Sequence, residues 1–138
     1  MKKSMHDASV IISSFNQAET IKKILDVLED QARQGRYSVQ VIVADDGSSS
    51  AQVNDLVAEI KKHGSSISTN LVWQQNTEFR LAASRNNGLA VADSEIVIFI
   101  DGDCIPDAGF LDAHINAHAA HGGLALFTGH RSFDLPEG

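Results

Sequence analysis

Short runs of apolar, mostly β-branched residues alternate along the chain with longer stretches in which apolar residues recur every three or four positions. The first pattern predicts buried strands, and the second predicts amphipathic helices. The predicted strands occupy residues 9–14, 39–44, 67–74, 95–100 and 124–128. The predicted helices occupy residues 18–34, 80–91 and 109–121, with another that begins near Ala51 and closes near Gly64. This alternation predicts an α/β fold with a mostly parallel sheet and helices on both of its faces.

Polar residues follow three of the predicted strands directly. The clusters are SSFN at residues 13–16, DDGS at residues 45–48 and DGD at residues 101–103. In open α/β sheets, ligands bind in the crevice outside the carboxyl ends of the strands. Three polar clusters at that edge therefore predict a binding site there.

The D-x-D pattern after the most apolar strand is a candidate metal site. If the chain stays extended through Gly102, Asp101 and Asp103 project to the same side and can share one cation. Hard carboxylate oxygens suit Mn²⁺ or Mg²⁺, which often keep waters and share substrate phosphate oxygens. An ordinary acidic turn after a strand is the alternative, and this short pattern alone does not exclude it.

Further candidates are Asp46 and two arginines of the third predicted helix. Asp46 belongs either to a turn that caps the next helix or to a site that accepts hydrogen bonds from a nucleobase or ribose. Arg80 and Arg85 stand about 140° apart around a helix, so we expect only Arg80 to reach the crevice. Arg85 would instead brace an aspartate, unless both arginines are simply solvated. Gly88 indicates close packing of this helix against the sheet.

Composition narrows the function classes. The 138 residues allow one domain, and 11 Lys and Arg against 18 Asp and Glu give a net charge of −7, which disfavours a nucleic-acid partner. The single cysteine, Cys104, excludes an internal disulfide and indicates a reduced, cytoplasmic setting. No apolar run approaches the ~18 residues of a membrane span, so we expect no membrane segment in this chain.

Three histidines on the last predicted helix, His114, His118 and His121, have a spacing that zinc ligands can share. The H-E-x-x-H pattern, which would supply a metalloprotease base, is absent. A partly exposed helix face is the favoured interpretation.

Taken in order, the motifs resemble those of the family 2 glycosyltransferases, inverting enzymes of the GT-A fold that use nucleotide sugars. The matching segments are VIISSFNQAETIKKILDVLEDQ, VQVIVADDGSSS and FRLAASRNNGLAVADSEIVIFIDGDCIPDAGFL, which span about residues 9–112, with GHR at residues 129–131 as the outer limit of the resemblance. The FRLA and DGDCIP segments are similar to the bacterial branch with chondroitin-polymerase-like transferases. The resemblance implies a Rossmann-like nucleotide-binding half.

The resemblance also implies roles for individual residues. The SSFN segment would frame the nucleobase, with Phe15 where tyrosine is more usual, and Asp46 would bind the base. Asp101 would lie toward the ribose and diphosphate, and Asp103 would bind Mn²⁺ or Mg²⁺ directly. The implied nucleotide-sugar-binding residues are Ser13, Phe15, Asn16, Asp46, Arg80, Arg85, Asp101 and Asp103.

The implied reaction transfers a sugar with inversion from a nucleoside diphosphate sugar, by family habit a UDP-sugar, to a hydroxyl of a saccharide or other acceptor. In this family the general base follows the D-x-D motif at a distance. Asp107 and Asp112 stand too near the motif, and Asp134 lies in the terminal SFDLPEG. We therefore expect residues 1–138 to be a single GT-A domain, truncated to its donor-binding half, with the base outside it.

Two other function classes are compatible with the sequence. One is a non-catalytic nucleotide-binding or assembly module of glycosyltransferase ancestry. The other is a D-x-D phosphatase, although Ile105 stands where that class usually has Thr or Val. The sequence does not determine the oligomeric state, and it is compatible with a homo-oligomer.

Overall fold

The computed structural model describes residues 5–133, in which four strands and four helices alternate. The strands are β1 (Ala8–Ser14), β2 (Val39–Asp45), β3 (Ile67–Trp73) and β4 (Val97–Asp101). The helices are α1 (Ala18–Gly35), α2 (Ser50–Lys62), α3 (Leu81–Val91) and α4 (Phe110–His121). Eight of the predicted elements are therefore confirmed.

The strands form one all-parallel sheet in the order β3-β2-β1-β4. β1 lies inside the sheet, and all of its residues are buried. Val10 of β1 stands opposite Val41 of β2 and Ile98 of β4. This pairing aligns the carboxyl ends of the three strands at one edge.

Helices cover both faces of the sheet, as the sequence predicts. On one face Val10 and Ile12 pack in a core with buried residues of three helices, among them Leu25 of α1, Leu56 of α2 and Leu111 of α4. The opposite face carries Ile11, Ile42 and Ala44, and α3 packs against it. Two-sided burial explains why these strands are continuously apolar in sequence.

Gly88 lets α3 approach this second face closely. A Cβ atom at position 88 would lie 2.9 Å from Cγ2 of Ile11 and 3.5 Å from Cβ of Ala44. The predicted close packing of this helix is confirmed. α3 thereby brings Arg85 close to the sheet edge.

The predicted strand at residues 124–128 is wrong. After α4 ends at the left-handed Gly122, the described chain through residue 133 forms no further strand, and Leu124 and Leu126 are exposed. A strand needs a neighbour for its backbone hydrogen bonds, and apolar composition alone does not supply one. The segment instead packs Phe127 against the rings of His118 and His121, at centroid distances of 4.8 and 6.1 Å.

Among residues 5–133, no helix combines the length and apolar character needed to cross a membrane.

A buried charged cluster joins α1 to the end of α2, away from the polar sheet edge. The side chain of His63 is 5% exposed, and its Nδ1 contacts Glu29. Its Nε2 lies 3.2 Å from Oε1 of Glu59 and 3.2 Å from Oδ1 of Asp26. Burial lowers the pKa of His63, but hydrogen bonds to Glu29 and Glu59 outweigh it, so the pKa rises above its usual value. Folding therefore stabilises the imidazolium form of His63 relative to the unfolded chain.

This cluster predicts a pH dependence of stability. Because the pKa of His63 is raised on folding, its contribution is complete below pH 6.5, the ordinary histidine value, and is lost as pH rises through the folded pKa. Urea unfolding of the wild-type chain should therefore show a free energy of unfolding that falls on the alkaline side of pH 6.5. His63→Gln should remove that fall. His121→Gln, at an exposed position of α4, should keep it; equal slopes in wild type and His63→Gln would contradict the assignment.

Candidate functional site

A cleft of about 550 Å³ opens at the carboxyl ends of β1, β2 and β4. The loop between β3 and α3 closes one side of it. The three polar clusters predicted at the sheet edge all contribute to its wall. The lining residues are Ser13, Ser14, Phe15, Gln17, Asp46, Asn76, Glu78, Phe79, Leu81, Asp101, Gly102 and Asp103.

The D-x-D segment turns sharply and does not stay extended. Asp101 is the last residue of β4, and the backbone N–H of Cys104 donates to its carbonyl oxygen over 2.9 Å. The two carboxylates nevertheless converge: Oδ2 of Asp101 and Oδ1 of Asp103 lie 3.3 and 3.1 Å from the same atom, Nη2 of Arg131. The turn, and not an extended chain, brings the two acidic groups together.

Asp101 has two further partners on its other carboxylate oxygen. Arg85 of α3 donates from Nη2 to Oδ1 over 2.7 Å, and the hydroxyl of Ser13 donates to the same oxygen over 3.2 Å. Ser13 stands opposite Asp101 in the β1–β4 register. Asp101 is thus oriented by both a neighbouring strand and a helix.

Arg80 directly precedes α3, at the N-cap position of that helix. Its side chain is exposed and does not line the cleft, whereas its backbone N–H donates to Oδ2 of Asp46 over 3.0 Å. The contact that Arg80 makes with the site in this structure therefore comes from its backbone, and not from its guanidinium.

The two aspartates after β2 have different surroundings. Asp45 is fully buried, and its Oδ1 accepts from the backbone N–H groups of Gly47 and Ser48 over 3.0 and 2.7 Å. Asp46 is 4% exposed and lines the cleft. Its Oδ1 accepts from Nε2 of Gln74 over 2.6 Å. Asp45 therefore holds the turn, whereas Asp46 is one of the residues that line the cleft.

Phe15 and Asn16 follow β1 but face different surroundings. Phe15 lines the cleft and is 47% exposed, so its ring is available for stacking. Asn16 has a left-handed backbone, with φ 52°, and is not among the cleft-lining residues. Its N–H donates to the hydroxyl of Ser48 over 2.8 Å, and its Oδ1 accepts from the N–H of Ser49 over 3.0 Å. Asn16 thus ties the first turn of the site to the second.

Sequence reasoning missed several residues that complete the site. Gln74 bridges two elements, because it donates to Asp46 and accepts from Nδ2 of Asn87 over 3.0 Å. Asn76 donates to the carbonyl oxygen of Asp46 over 3.0 Å. Arg131 reaches back from beyond α4 to the D-x-D turn. Only the GHR segment at residues 129–131 carried a signal, as the outer limit of the family resemblance.

The D-x-D turn offers ligands that could hold a divalent cation. Asp101, Asp103 and Cys104 each present one ligand atom, and these atoms lie within 4.8 Å of one another. Burial raises the pKa of the Cys104 thiol against the opposing effect of Arg131, which favours the protonated, weakly ligating form. The fitting donor set is therefore the pair of carboxylates, whose oxygens suit a hard cation.

The three histidines of α4 do not form such a set among residues 5–133. His114 packs edge-on against Phe110 at 4.7 Å between ring centroids, and His118 and His121 contact Phe127. His114 and His118 are half-buried, and His121 is exposed. Packing on a partly exposed helix face accounts for all three.

The chain belongs to the family described as Glycosyl transferase family 2, which it matches over residues 9–135. This family assignment confirms the resemblance drawn from the motifs. It also excludes the phosphatase alternative, because the family match includes both the D-x-D segment and the rest of the sheet.

Two curated relatives are similar to this chain in sequence. Glycosyltransferase AglE of Haloferax volcanii is 30% identical over 139 residues, an alignment that covers 100% of this chain and 43% of the relative. The chondroitin synthase of Escherichia coli is 29% identical over 126 residues, covering 91% of this chain and 18% of the relative. The chain thus spans less than half the length of these relatives.

A solved structure shows the same fold. Staphylococcus aureus TarS (residues 1–349), in complex with UDP-GlcNAc, superimposes with a TM-score of 0.69 at 21% sequence identity. The match covers 94% of this chain and 37% of that one. The expected GT-A architecture is therefore confirmed.

Gly102 provides a test of how the D-x-D turn is held. A Cβ atom at position 102 would lie 2.4 Å from the carbonyl oxygen of Ser13 and 2.6 Å from Oε1 of Gln17. Gly102→Ala should force the turn away from β1 and lower the free energy of unfolding by ~1–3 kcal/mol in urea titrations. Gly64→Ala is the matched control, because a Cβ there meets no atom within 4 Å. Equal stability of both variants would show that the turn yields without cost.

Proposed function

We propose that this chain binds the donor of an inverting sugar transfer, a nucleoside diphosphate sugar with UDP as its nucleotide, together with Mn²⁺ or Mg²⁺. The observation that carries the proposal is that Asp46 and the Asp101–Asp103 pair line one cleft. β1 lies between the strands that carry them, so the two acidic positions flank the turn after β1. This arrangement provides one end for a base and another for a diphosphate.

At the base end, the ring of Phe15 supplies a stacking surface, and Asp46 lines the same cleft. A carboxylate has about four lone-pair directions, so Asp46 keeps acceptor capacity beyond its bonds to Gln74 and the Arg80 backbone. Uracil offers an N3–H donor to such a group, whereas cytosine has an acceptor at that position. An anionic acceptor therefore favours uracil over cytosine.

At the diphosphate end, Asp103 would bind the cation directly. Asp101 would lie beside the cation, on the side of the ribose. When bound, a divalent cation offsets the negative charge that develops on the leaving diphosphate. Ser13 and Arg85 orient Asp101 before any ligand arrives, which reduces the cost of ordering the site.

Transfer to a saccharide or other hydroxyl acceptor also requires a general base. Asp107 and Asp112 do not line the cleft, and Asp112 accepts a hydrogen bond from the hydroxyl of Tyr37 over 2.6 Å. Asp134 lies outside the described residues. The support for transfer chemistry is therefore the family membership and the UDP-GlcNAc complex of TarS, and not a base identified in this chain.

A thermal-shift panel of UDP, GDP, ADP and CDP, with and without Mn²⁺, tests the proposal. A ligand at 100 times its Kd stabilises the folded state by about 2.7 kcal/mol, so a clear rise in Tm is expected for UDP with Mn²⁺. Asp103→Ala should abolish the Mn²⁺-dependent part of that rise. Asp107→Ala, an exposed aspartate near the motif, is the control and should preserve it.

Two outcomes would change this assignment. Equal stabilisation of wild type and Asp103→Ala would reject Asp103 as the metal ligand. Robust sugar transfer by residues 1–138 alone, seen as release of UDP from a UDP-sugar in the presence of acceptor saccharides, would contradict the expectation that the general base lies outside them.

Asp46→Asn tests the base assignment separately. The amide replaces an anionic acceptor with a group that can donate to the cytosine ring nitrogen, so nucleotide preference should shift from UDP toward CDP. Loss of a hydrogen bond to a charged group predicts UDP binding weaker by about tenfold or more in calorimetric titrations. Asp55→Asn, at an exposed position of α2, should leave both affinities unchanged. An unaltered UDP-to-CDP ratio in Asp46→Asn would place the base elsewhere.

A further inference from the structure

Arg131 occupies the point on which the D-x-D carboxylates converge. Its Nη2 lies 3.3 Å from Oδ2 of Asp101 and 3.1 Å from Oδ1 of Asp103. The same atom lies 2.8 Å from Sγ of Cys104, and Nε of Arg131 lies 3.2 Å from that sulfur. A single guanidinium therefore caps the whole acidic turn.

The two aspartates depend on Arg131 to different degrees. Asp101 keeps an ion pair with Arg85 on its other oxygen, at 2.7 Å. For Asp103, Arg131 is the ion-pair partner that the structure shows within the described residues. Release of Arg131 would thus leave Asp101 paired and expose the charge of Asp103.

The ion pair between Arg131 and Asp103 is exposed to solvent and therefore weak. The side chain of Arg131 is 50% exposed, and that of Asp103 is 62% exposed. Exposed ion pairs of this kind shift an equilibrium by no more than about fivefold, so a divalent cation can compete with the arginine for the same oxygens. The chain before Arg131 is meanwhile held to α4 by Phe127, which packs on His118.

We propose that Arg131 is an exchangeable counter-ion of the D-x-D turn. It neutralises Asp101 and Asp103 in the donor-free chain, yields them to the divalent cation, and then contacts the diphosphate of the bound donor. The last step uses the same planar set of N–H donors, since a guanidinium binds phosphate and carboxylate oxygens in similar geometry. This inference rests on the proposed donor binding and adds a positioning residue that links metal binding to diphosphate binding.

Calorimetric titrations of wild type and Arg131→Gln separate the two halves of the inference. Without nucleotide, Arg131→Gln should bind Mn²⁺ more tightly than wild type, by up to about fivefold, because a competing cation has been removed. At saturating Mn²⁺, the same variant should bind UDP about tenfold more weakly, because a charged donor to the diphosphate is lost. UMP, which lacks the second phosphate, should lose less affinity than UDP.

Two further variants serve as controls. Lys23→Gln removes one positive charge from an exposed position of α1 and should leave all three affinities unchanged. Arg131→Lys keeps the charge but not the planar fork, so it should retain most of the competition with Mn²⁺ and only part of the UDP affinity. Circular dichroism and Tm measurements are needed to check that each variant is folded.

The outcomes distinguish this inference from the function on which it rests. Mn²⁺ affinity that is unchanged or weaker in Arg131→Gln overturns the counter-ion role. Equal losses for UDP and UMP overturn the diphosphate contact. A wild-type chain that binds neither Mn²⁺ nor UDP contradicts the proposed function and the inference together.

Discussion

The parallel register of β1 with its two neighbours is the constraint on which the site depends. It sets Ser13 opposite Asp101 and Ser14 opposite Asp45, so three chain segments that are distant in sequence end at the same level. A slip of one residue would turn every side chain of a strand to the other face and bury polar groups in the core. Packing on both faces of the sheet therefore fixes the register, and the register fixes the positions of the acidic groups.

Around that edge, the structure separates groups that hold the site from groups that face a ligand. The side chains of Asp45 and Asn16 accept hydrogen bonds that hold the turns after β1 and β2. Asp46 and Asp103 line the cleft. Asp101 stands between these roles, because Arg85 and Ser13 orient one oxygen while the other meets Arg131. The groups that hold the turns are thus distinct from the groups that can change partners when a ligand binds.

Prediction from sequence succeeded where a local pattern has a strong physical cause. Runs rich in β-branched residues located four strands to within two residues, and Gly88 correctly indicated close packing of α3. The same reasoning failed at residues 124–128, where strand-like composition lacks a pairing partner in the described chain. The convergence of Asp101 and Asp103 was argued for a chain that stays extended through Gly102, whereas a turn brings the two residues together.

The sequence by itself determined the α/β layering, the family and the acidic residues at the strand ends, because these follow from periodicity and from short motifs. Only the tertiary structure decided which partner each acidic residue meets. Gln74 donates to Asp46, and Arg131 donates to Asp103, by hydrogen bonds between residues that are 28 positions apart in sequence in each case. Such contacts depend on the packing of whole helices and loops, so no local pattern of residues encodes them.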